Sequence, residues 1–385
     1  MGRLNNYNPI SLKDVLRSST GKRIRCLKFC DKVLGPLAVS ICAKPKPVSI
    51  PISKEDCVRI LVIRPGGVGD AVLLLPFINK LKEFFHDSHI DILAERRNIG
   101  IFNSMEGIVN ECFCYEDGLF ALRRRFQSAS YNLVFDTEQW HFFSAAVSCA
   151  SGAPIRVGFD TNKQRSRCYN VLVPYRHDEF EGNVFLRMLS GVIGSSIEFD
   201  WGRPFLKLAK ADTDWATEKL SGRRAVAVSI KGGIKERCWA LEKWVSLCRK
   251  LVEMGLDICL IGGGKDLSDA KRLLEAIPAE KLIDLTGKAT LLQSASAIKE
   301  CKLFIGTDSG PMHLAFSVGT PIVAMFGSGI QPKWAPIGKN VRILNRNLPC
   351  SPCTRFGYTP KCPIKVRCLE EISVEDILSA IQNLI

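Results

Sequence analysis

The stretch "FIGTDSGPMHLAFSVGTPIVAMFG", residues 304–327, decides the fold of this chain. Its apolar start predicts a buried strand, which breaks at a turn containing Asp308 and Gly310. A short helix with His313 in its first turn follows, and after Gly319-Thr320-Pro321 the chain resumes as a strand. A strand–helix–strand unit of this kind is typical of a parallel sheet covered by helices.

The same alternation runs along the chain from Val58. We predict further strands from the segments "VRILVI", "HIDILAE", "YNLVFDTE", "AVAVSI", "DICLIGG" and "KLIDLTG". Two similar α/β domains in tandem follow, and such folds bind ligands at the carboxyl ends of their strands, often between domains. The predicted segments are a basic N-terminal extension and linker (1–56), an N-terminal domain (57–200), a C-terminal domain (201–345) and a cysteine-containing loop with a final helix (346–385).

Composition limits the class of protein. The 385 residues are 46% hydrophobic and 24% charged, which is typical of a globular protein. No apolar run reaches the ~18 residues of a membrane span, and the first residues lack the layout of a signal peptide. We therefore expect a cytoplasmic protein.

The net charge of +14 indicates an anionic partner. The sequence shows no RNA-binding signature or zinc-finger spacing, so nucleic acid is not expected. Residues 1–50 hold ten of the Lys and Arg residues in a basic, partly apolar stretch. Such a stretch can lie on an anionic membrane surface. The alternative is an N-terminal helix that is solvated or packed on the protein without lipid contact.

The segment "IRPGGVGDAVLLLP" places glycines between a strand and a helix. Gly67 and Gly69 allow the backbone to turn tightly beside a ligand. The pattern is not GxGxxG, so a nicotinamide site is not expected. Asp70 is a candidate catalytic carboxylate or, alternatively, a helix N-cap. Arg64 can bind an anion or pair with a carboxylate.

The turn in the opening stretch predicts an anion site. Backbone N–H groups at Ser309 and Gly310 lie at a helix start, where the helix dipole also favours negative charge. His313 can reach the same anion, while Asp308, next to Thr307, suits sugar hydroxyls. Together they indicate a sugar phosphate or a nucleotide-sugar. The alternative is that Asp308 and Ser309 are caps and His313 is a core residue.

Three other strand ends carry candidate ligand-binding residues. "SIKGGIKERCWALEKW" supplies glycines and cations that can neutralise a diphosphate, and "LIGGGKD" suits close passage of a base or ribose. The candidates at these ends are Lys231, Gly232, Lys235, Arg237, Gly263, Asp266, Thr286 and Gly287.

Four of the sixteen cysteines form a C-x2-C-x8-C-x5-C pattern, Cys350, Cys353, Cys362 and Cys368. Four thiolates on loops can bind zinc or an iron–sulfur cluster. Disulfide or redox pairing and free thiols are the alternatives. The other cysteines, such as Cys149, are expected to be small core hydrophobes.

These motifs resemble glycosyltransferase family 9, the bacterial lipopolysaccharide heptosyltransferases. The resemblance covers about residues 58–385 and rests on "PGGVGDAVLLLP", "RCWALEKW" and "GTDSGPMHLAFSVGTPIVAMFG". It implies a GT-B fold, with two Rossmann-like parallel-sheet domains facing a central cleft. The N-terminal domain would bind the acceptor and the C-terminal domain the donor. It also implies an inverting, metal-independent transfer of heptose from ADP-L-glycero-D-manno-heptose to the phosphorylated inner core of lipopolysaccharide, at the inner face of the membrane.

The resemblance implies roles for individual residues. Asp70 matches the family's proposed general base, and Asp308, Gly310 and His313 match positions that hold the donor. Arg237 stands where family members commonly have a lysine. Asp266 follows a lysine where some members have a glutamate near the ribose. A UDP-, GDP- or dTDP-sugar therefore remains an alternative donor, and a non-catalytic nucleotide- or nucleic-acid-binding protein is a more distant alternative.

Overall fold

The computed structural model describes residues 15, 22–55, 57–382 and 384. Of the predicted extension (1–56), the part before residue 22 therefore lies outside the described residues, except for Val15. The chain divides into two compact units, Met1–Phe199 and Asp200–Ile385. Among the described helices, none has the length and apolar character needed to cross a membrane.

The first unit is built on a six-stranded parallel sheet in the order β3-β2-β1-β4-β5-β6. The order reverses between β1 and β4, and ligands of such sheets bind beyond the carboxyl ends of the strands at this switch point. The strands are β1 (Arg59–Arg64), β2 (His89–Ala94), β3 (Glu111–Cys114), β4 (Leu133–Asp136), β5 (Ile155–Asp160) and β6 (Val171–Pro174). The helices are α1 (Lys22–Ser40), α2 (Val68–Phe84), α3 (Leu119–Ala129), α4 (Phe142–Ala150), α5 (Lys163–Ser166) and α6 (Glu181–Ile193).

Helix α1, from the predicted extension, packs on α4 of the first unit. The Asp31 carboxylate accepts hydrogen bonds from the Phe143 N–H at 2.7 Å and lies 3.1 Å from His141 Nδ1. Gly35 allows close contact, because a Cβ there would lie 2.4 Å from Phe142 Cβ. One side of α1 is therefore fixed to the protein, and whether its other side contacts lipid stays a prediction.

The second unit repeats the design with the strand order β12-β11-β10-β7-β8-β9, and its switch point lies between β10 and β7. Its strands are β7 (Ala225–Val228), β8 (Asp257–Leu260), β9 (Leu282–Asp284), β10 (Leu303–Thr307), β11 (Ile322–Phe326) and β12 (Val341–Asn345). Its helices are α7 (Lys210–Leu220), α8 (Leu241–Glu253), α9 (Leu267–Ala276), α10 (Leu291–Glu300), α11 (Gly310–Val318), α12 (Gln331–Trp334), α13 (Arg367–Glu370) and α14 (Val374–Ile381).

The C-terminal segment belongs to the core of the second unit. Ile377 and Ile381 of α14 are fully buried in the same apolar cluster as Trp244 of α8. Trp239 donates a hydrogen bond from Nε1 to the Ile372 carbonyl at 3.1 Å. These contacts join the C-terminal segment to the turn after β7. The segment therefore packs against the part of the chain that follows one of the two strands at the switch point.

Candidate functional site

The loop after β1 carries the candidate catalytic carboxylate. Gly67 occupies the N-cap position of α2, and Asp70 lies in the first helical turn. Asp70 is therefore not the N-cap residue. A Cβ at Gly67 would lie 3.6 Å from Asp70 Oδ2, so the half-buried carboxylate lies over the glycine loop. Gly66 makes the turn with φ of +104°, a conformation that favours glycine.

Arg64 lies beneath this loop and is 1% exposed. Its guanidinium donates to the carbonyls of Pro65 at 2.6 Å and Thr137 at 2.9 Å, and it pairs with Glu138 at 3.4 Å. Burial disfavours its charge, but the carboxylates of Asp70, Glu138 and others raise its pKa above the ordinary value. Arg64 thus pairs with Glu138, which is one of the two roles predicted for it, and acceptor binding by Arg64 stays a prediction.

A buried charged network at the end of β4 escaped the sequence analysis. Asp136 and Arg165 form an ion pair at 2.8 Å with both side chains fully buried. The pKa of Glu138 is lowered to about 2: burial opposes this, but His141 and Arg64 outweigh it. The acidic residues in "VFDTE" were a sequence signal for this network. They lie at the carboxyl end of β4, which pairs with β1 and therefore ends beside the Asp70 loop. Partners such as Arg165, 29 residues away, carry no local signal.

In the second unit, the junction of β10 and α11 gathers buried polar groups. Ser309 is the N-cap residue of α11, yet its side chain makes no capping hydrogen bond. Thr307, Asp308 and His313 are each at most 4% exposed. Among the described residues, Thr307 Oγ1, Asp308 Oδ2 and His313 Nδ1 have no hydrogen-bond partner. Unsatisfied buried polar atoms are costly, so these three atoms are candidates for hydrogen bonds to a polar ligand.

Arg237 joins this group from the turn after β7. Its Nη1 lies 3.1 Å from Asp308 Oδ2, a Coulombic contact without hydrogen-bond alignment. Burial raises the pKa of Asp308, and Arg237 opposes that rise. Burial and the Arg237 charge lower the pKa of His313 to about 3, so this imidazole is neutral near pH 7. A cation, a carboxylate and a neutral imidazole therefore meet at one helix N-terminus.

The remaining predicted residues lie around the same switch point but differ in exposure and in their contacts. Lys231 pairs with Asp269 at 2.6 Å, while Lys235 is exposed. A cavity of about 330 Å³ adjoins both lysines and Gly232. Asp266 caps its own turn, since its Oδ2 accepts from the Gly263 N–H at 2.8 Å.

The loop after β9 adds two more predicted residues. Thr286 is 1% exposed and, among the described residues, its Oγ1 lacks a hydrogen-bond partner. Gly287 adopts φ of +68° and donates to the Gly262 carbonyl at 2.9 Å, which joins the β8 and β9 loops.

Gly232 and Gly233 offer a matched pair for testing the position of Arg237. A Cβ at Gly232 would lie 2.5 Å from Arg237 Cβ and 2.6 Å from its carbonyl oxygen, whereas one at Gly233 meets nothing within 4 Å. We expect Gly232→Ala to displace Arg237 and to weaken binding of ADP, the nucleotide that the family resemblance implies, about tenfold, which corresponds to ~1.4 kcal/mol. Calorimetric titration should show near-unchanged affinity for Gly233→Ala. Equal affinities would contradict the positioning role of Gly232.

The cysteine-containing loop that begins at residue 346 contacts the chain on both sides of the Arg237, Asp308 and His313 group. The backbone N–H groups of Cys353 and Thr354 donate to the Ser328 carbonyl, at 3.2 and 2.9 Å. On the other side, the Cys362 N–H donates to Glu236 Oε1 at 3.2 Å, within the Lys235–Arg237 turn. Gly329, which the sequence analysis missed, must be small because a Cβ there would lie 2.0 Å from Asp308 Oδ2.

Three of the four predicted metal-ligating thiols lie in this loop, and the fourth, Cys368, lies on α13. Burial raises the pKa of Cys353 to about 11, and the negative charges of Cys368, Cys362 and Cys350 add to the rise. Within the described part of the chain, however, the potential ligands that approach one another within 4.8 Å are Cys42, Cys149 and Cys168 of the first unit. Zinc or iron–sulfur binding at the C-terminal loop stays a prediction.

Comparison with known proteins places the chain in a family. The family model described as glycosyltransferase family 9 (heptosyltransferase) matches residues 119–362. Lipopolysaccharide heptosyltransferase 3 of Escherichia coli is 24% identical over 71% of this chain and 84% of the relative. Lipooligosaccharide heptosyltransferase 2 of Campylobacter jejuni is also 24% identical, over 85% of this chain and 98% of the relative.

A solved structure supports the same assignment at the level of fold. The structure of E. coli ADP-heptose lps heptosyltransferase II aligns with a TM-score of 0.69 at 21% identity, covering 85% of this chain and 98% of that chain. With the two six-stranded parallel sheets, it confirms the predicted GT-B type of fold. The family model covers more than half of the chain, and the chain is therefore a glycosyltransferase that belongs to glycosyltransferase family 9.

Proposed function

We propose that this protein is an inverting, metal-independent heptosyltransferase of the lipopolysaccharide core that uses ADP-L-glycero-D-manno-heptose. One observation carries the proposal: the half-buried Arg237 meets the buried Asp308 and His313, with their unpartnered polar atoms, at the start of α11. The helix start and Arg237 suit a diphosphate, and Asp308 suits sugar hydroxyls. Family membership and the names of the relatives support heptose as the sugar.

The first unit would supply the acceptor side of the reaction. Asp70 would remove the proton from the acceptor hydroxyl as that oxygen attacks the anomeric carbon. The bond between that carbon and the diphosphate oxygen breaks, and ADP leaves from the opposite face, which inverts the anomeric centre. Arg64 would act indirectly, since its buried charge favours the ionised form of Asp70. The glycine loop at Gly67 and Gly69 would let the acceptor approach Asp70.

The second unit would supply the leaving-group side. Negative charge builds on the diphosphate as its bond to the sugar breaks, and preorganised donors aimed at such charge are effective catalysts. Arg237 and the N–H groups of Ser309 and Gly310 would fill that role. Neutral His313 can donate a single hydrogen bond without adding charge.

A donor titration tests the nucleotide. Calorimetry of the full chain with ADP, UDP, GDP and dTDP should show the tightest binding for ADP. The alternative of another nucleotide-sugar rests on the loop after β8: Lys265 and Asp266 stand where the family resemblance implies a glutamate near the ribose, and Asp266 Oδ2 accepts from the Gly263 N–H. Tighter binding of UDP, GDP or dTDP would replace the ADP-heptose proposal. Single-stranded RNA serves as the polyanion control, and RNA binding without nucleotide binding would contradict both.

We also propose that α1 holds the enzyme on an anionic membrane surface. The helix packs through Asp31, Gly35 and Val39, while its opposite side exposes a row of apolar side chains. We call this row the apolar face of α1: Leu27, Val33, Leu34, Leu37 and, just beyond the helix, Ile41. The exposed Lys44 and Lys46 follow it along the chain. Apolar side chains beside lysines suit the boundary of an anionic leaflet.

Vesicle co-sedimentation tests this membrane proposal. We expect the chain to pellet with vesicles containing phosphatidylglycerol and not with pure phosphatidylcholine. Replacing Leu34 and Leu37 with Glu should weaken binding tenfold or more, because each buried leucine contributes about 1.5–3 kcal/mol. Met254→Glu is the matched control, an exposed apolar residue of the second unit. Unchanged pelleting of the double variant would contradict a lipid partner. A wild type that is dimeric in solution, with a monomeric double variant, would instead make the apolar face a contact between two copies of the chain.

A further inference from the structure

Three cysteines distant in sequence meet in the first unit. Cys42 lies just after α1, Cys149 lies on α4 and Cys168 follows α5. Their Sγ atoms all lie within 4.8 Å of one another. Cys168 is fully buried, whereas the other two are half-buried, so solvent reaches one side of the group.

The surroundings hold these thiols in place. Val39, Phe142 and Tyr169 pack around them in one apolar cluster. Arg156 of β5, which is 6% exposed, donates from Nη2 to the carbonyl of Ala43 at 3.0 Å, directly beside Cys42. The cluster therefore combines three thiols with one buried cation.

We propose that Cys42, Cys149 and Cys168 form a three-thiolate site for a zinc ion. Zinc–sulfur bonds of about 2.3 Å set thiolates roughly 3.8 Å apart in a tetrahedral site, so the present spacing needs little movement. The two half-buried thiols leave the fourth coordination position to water. An iron–sulfur cluster fits less well, because it takes four cysteine ligands.

The charges of such a site balance. Each thiol gives up its proton on binding, so three thiolates and Zn²⁺ carry a net charge of −1. Arg156 supplies the compensating positive charge at Ala43. The ion would join the end of α1 to α4 and to the segment after α5, and so fix the helix that carries the apolar face.

Metal content provides the test. The full chain, purified without oxygen and equilibrated with zinc, should bind one zinc more than Cys42→Ser and Cys149→Ser. Cys30→Ser, a half-buried cysteine on α1, is the matched control and should keep that zinc. A Cys350→Ser, Cys353→Ser double variant should also keep it, which separates this site from the C-terminal loop. Cobalt in place of zinc should give a thiolate charge-transfer absorption that Cys42→Ser loses.

Several outcomes would overturn the proposal. Equal zinc content in the wild type and in both variants would do so, as would loss of all bound zinc in the C-terminal double variant. A disulfide between two of the three cysteines in the oxygen-free protein would assign the cluster to redox pairing. Because Cys42 is half-buried at a helix end, Cys42→Ser should fold, and its circular dichroism spectrum should match that of Cys30→Ser.

Discussion

Replacing Asp70 with alanine is expected to slow heptosyl transfer by about 10²–10⁴-fold while leaving the affinity for ADP unchanged. The carboxylate lies over the glycine loop of the first unit, where it is half-buried in the first turn of α2 and not at the N-cap position. Without it, no side chain at this position can take the proton of the attacking hydroxyl. Single-turnover transfer to a lipopolysaccharide acceptor measures the rate, and calorimetry with ADP measures the affinity.

Two variants control for structure in this experiment. Asp87→Ala removes an exposed carboxylate beyond the end of α2 and should keep the wild-type rate. Asp70→Asn keeps the shape of the side chain but not its basicity, so it should be nearly as slow as Asp70→Ala. Transfer by Asp70→Ala at a near wild-type rate would show that another group is the base. Loss of ADP affinity would instead indicate a wider structural effect.

The local part of this site could be predicted from the sequence. Glycine and proline indicate where β10 ends and α11 begins. In the structure the helix begins at Gly310, with Ser309 as its N-cap residue. The glycines after β1 likewise lie in the turn before α2. Both features depend on neighbouring residues alone, so the pattern of a few letters is sufficient to predict them.

The rest depends on contacts between residues distant in sequence. Arg64 was predicted to bind an anion or to pair with a carboxylate, but the carboxylate with which it pairs, Glu138, lies 74 residues away in the sequence. Arg237 and Asp308 were both predicted to bind the donor, yet nothing in the sequence indicated that they pair. Cys149 was expected to be a core hydrophobe, and the structure places it beside two other thiols. Tertiary packing decides such pairs, and local propensity carries no information about them.

The second large effect is expected for Arg237→Ala. The variant removes a cation that contacts Asp308, and with it a proposed donor to the departing diphosphate. Loss of one such preorganised donor lowers kcat by about 10²–10³-fold in other enzymes. A charge-assisted hydrogen bond also contributes about 1.5–3 kcal/mol, so ADP should bind tenfold or more weakly. Steady-state kinetics with ADP-heptose and titration with ADP measure the two effects.

The pH dependence of Arg237→Ala gives an independent readout. Burial already raises the pKa of Asp308, and Arg237 opposes that rise. Removing the arginine should therefore raise the pKa further, so the carboxyl stays protonated to a higher pH. The acidic limb of the profile for donor binding should move to higher pH in the variant. His313 should stay neutral near pH 7, because burial is the larger cause of its low pKa.

Matched variants separate the charge of Arg237 from its shape. Arg237→Lys should recover part of the rate, since an ammonium keeps the charge but not the planar donor pair. Arg272→Ala removes an exposed cation of the same unit that pairs with Glu242, and it should behave as the wild type. A shifted pH profile with unchanged ADP affinity would mean that Arg237 only neutralises Asp308. The leaving diphosphate would then be stabilised by the N–H groups at the start of α11. In that case Gly310→Pro, which removes one of these N–H groups, should lower kcat, and Arg237→Ala should not.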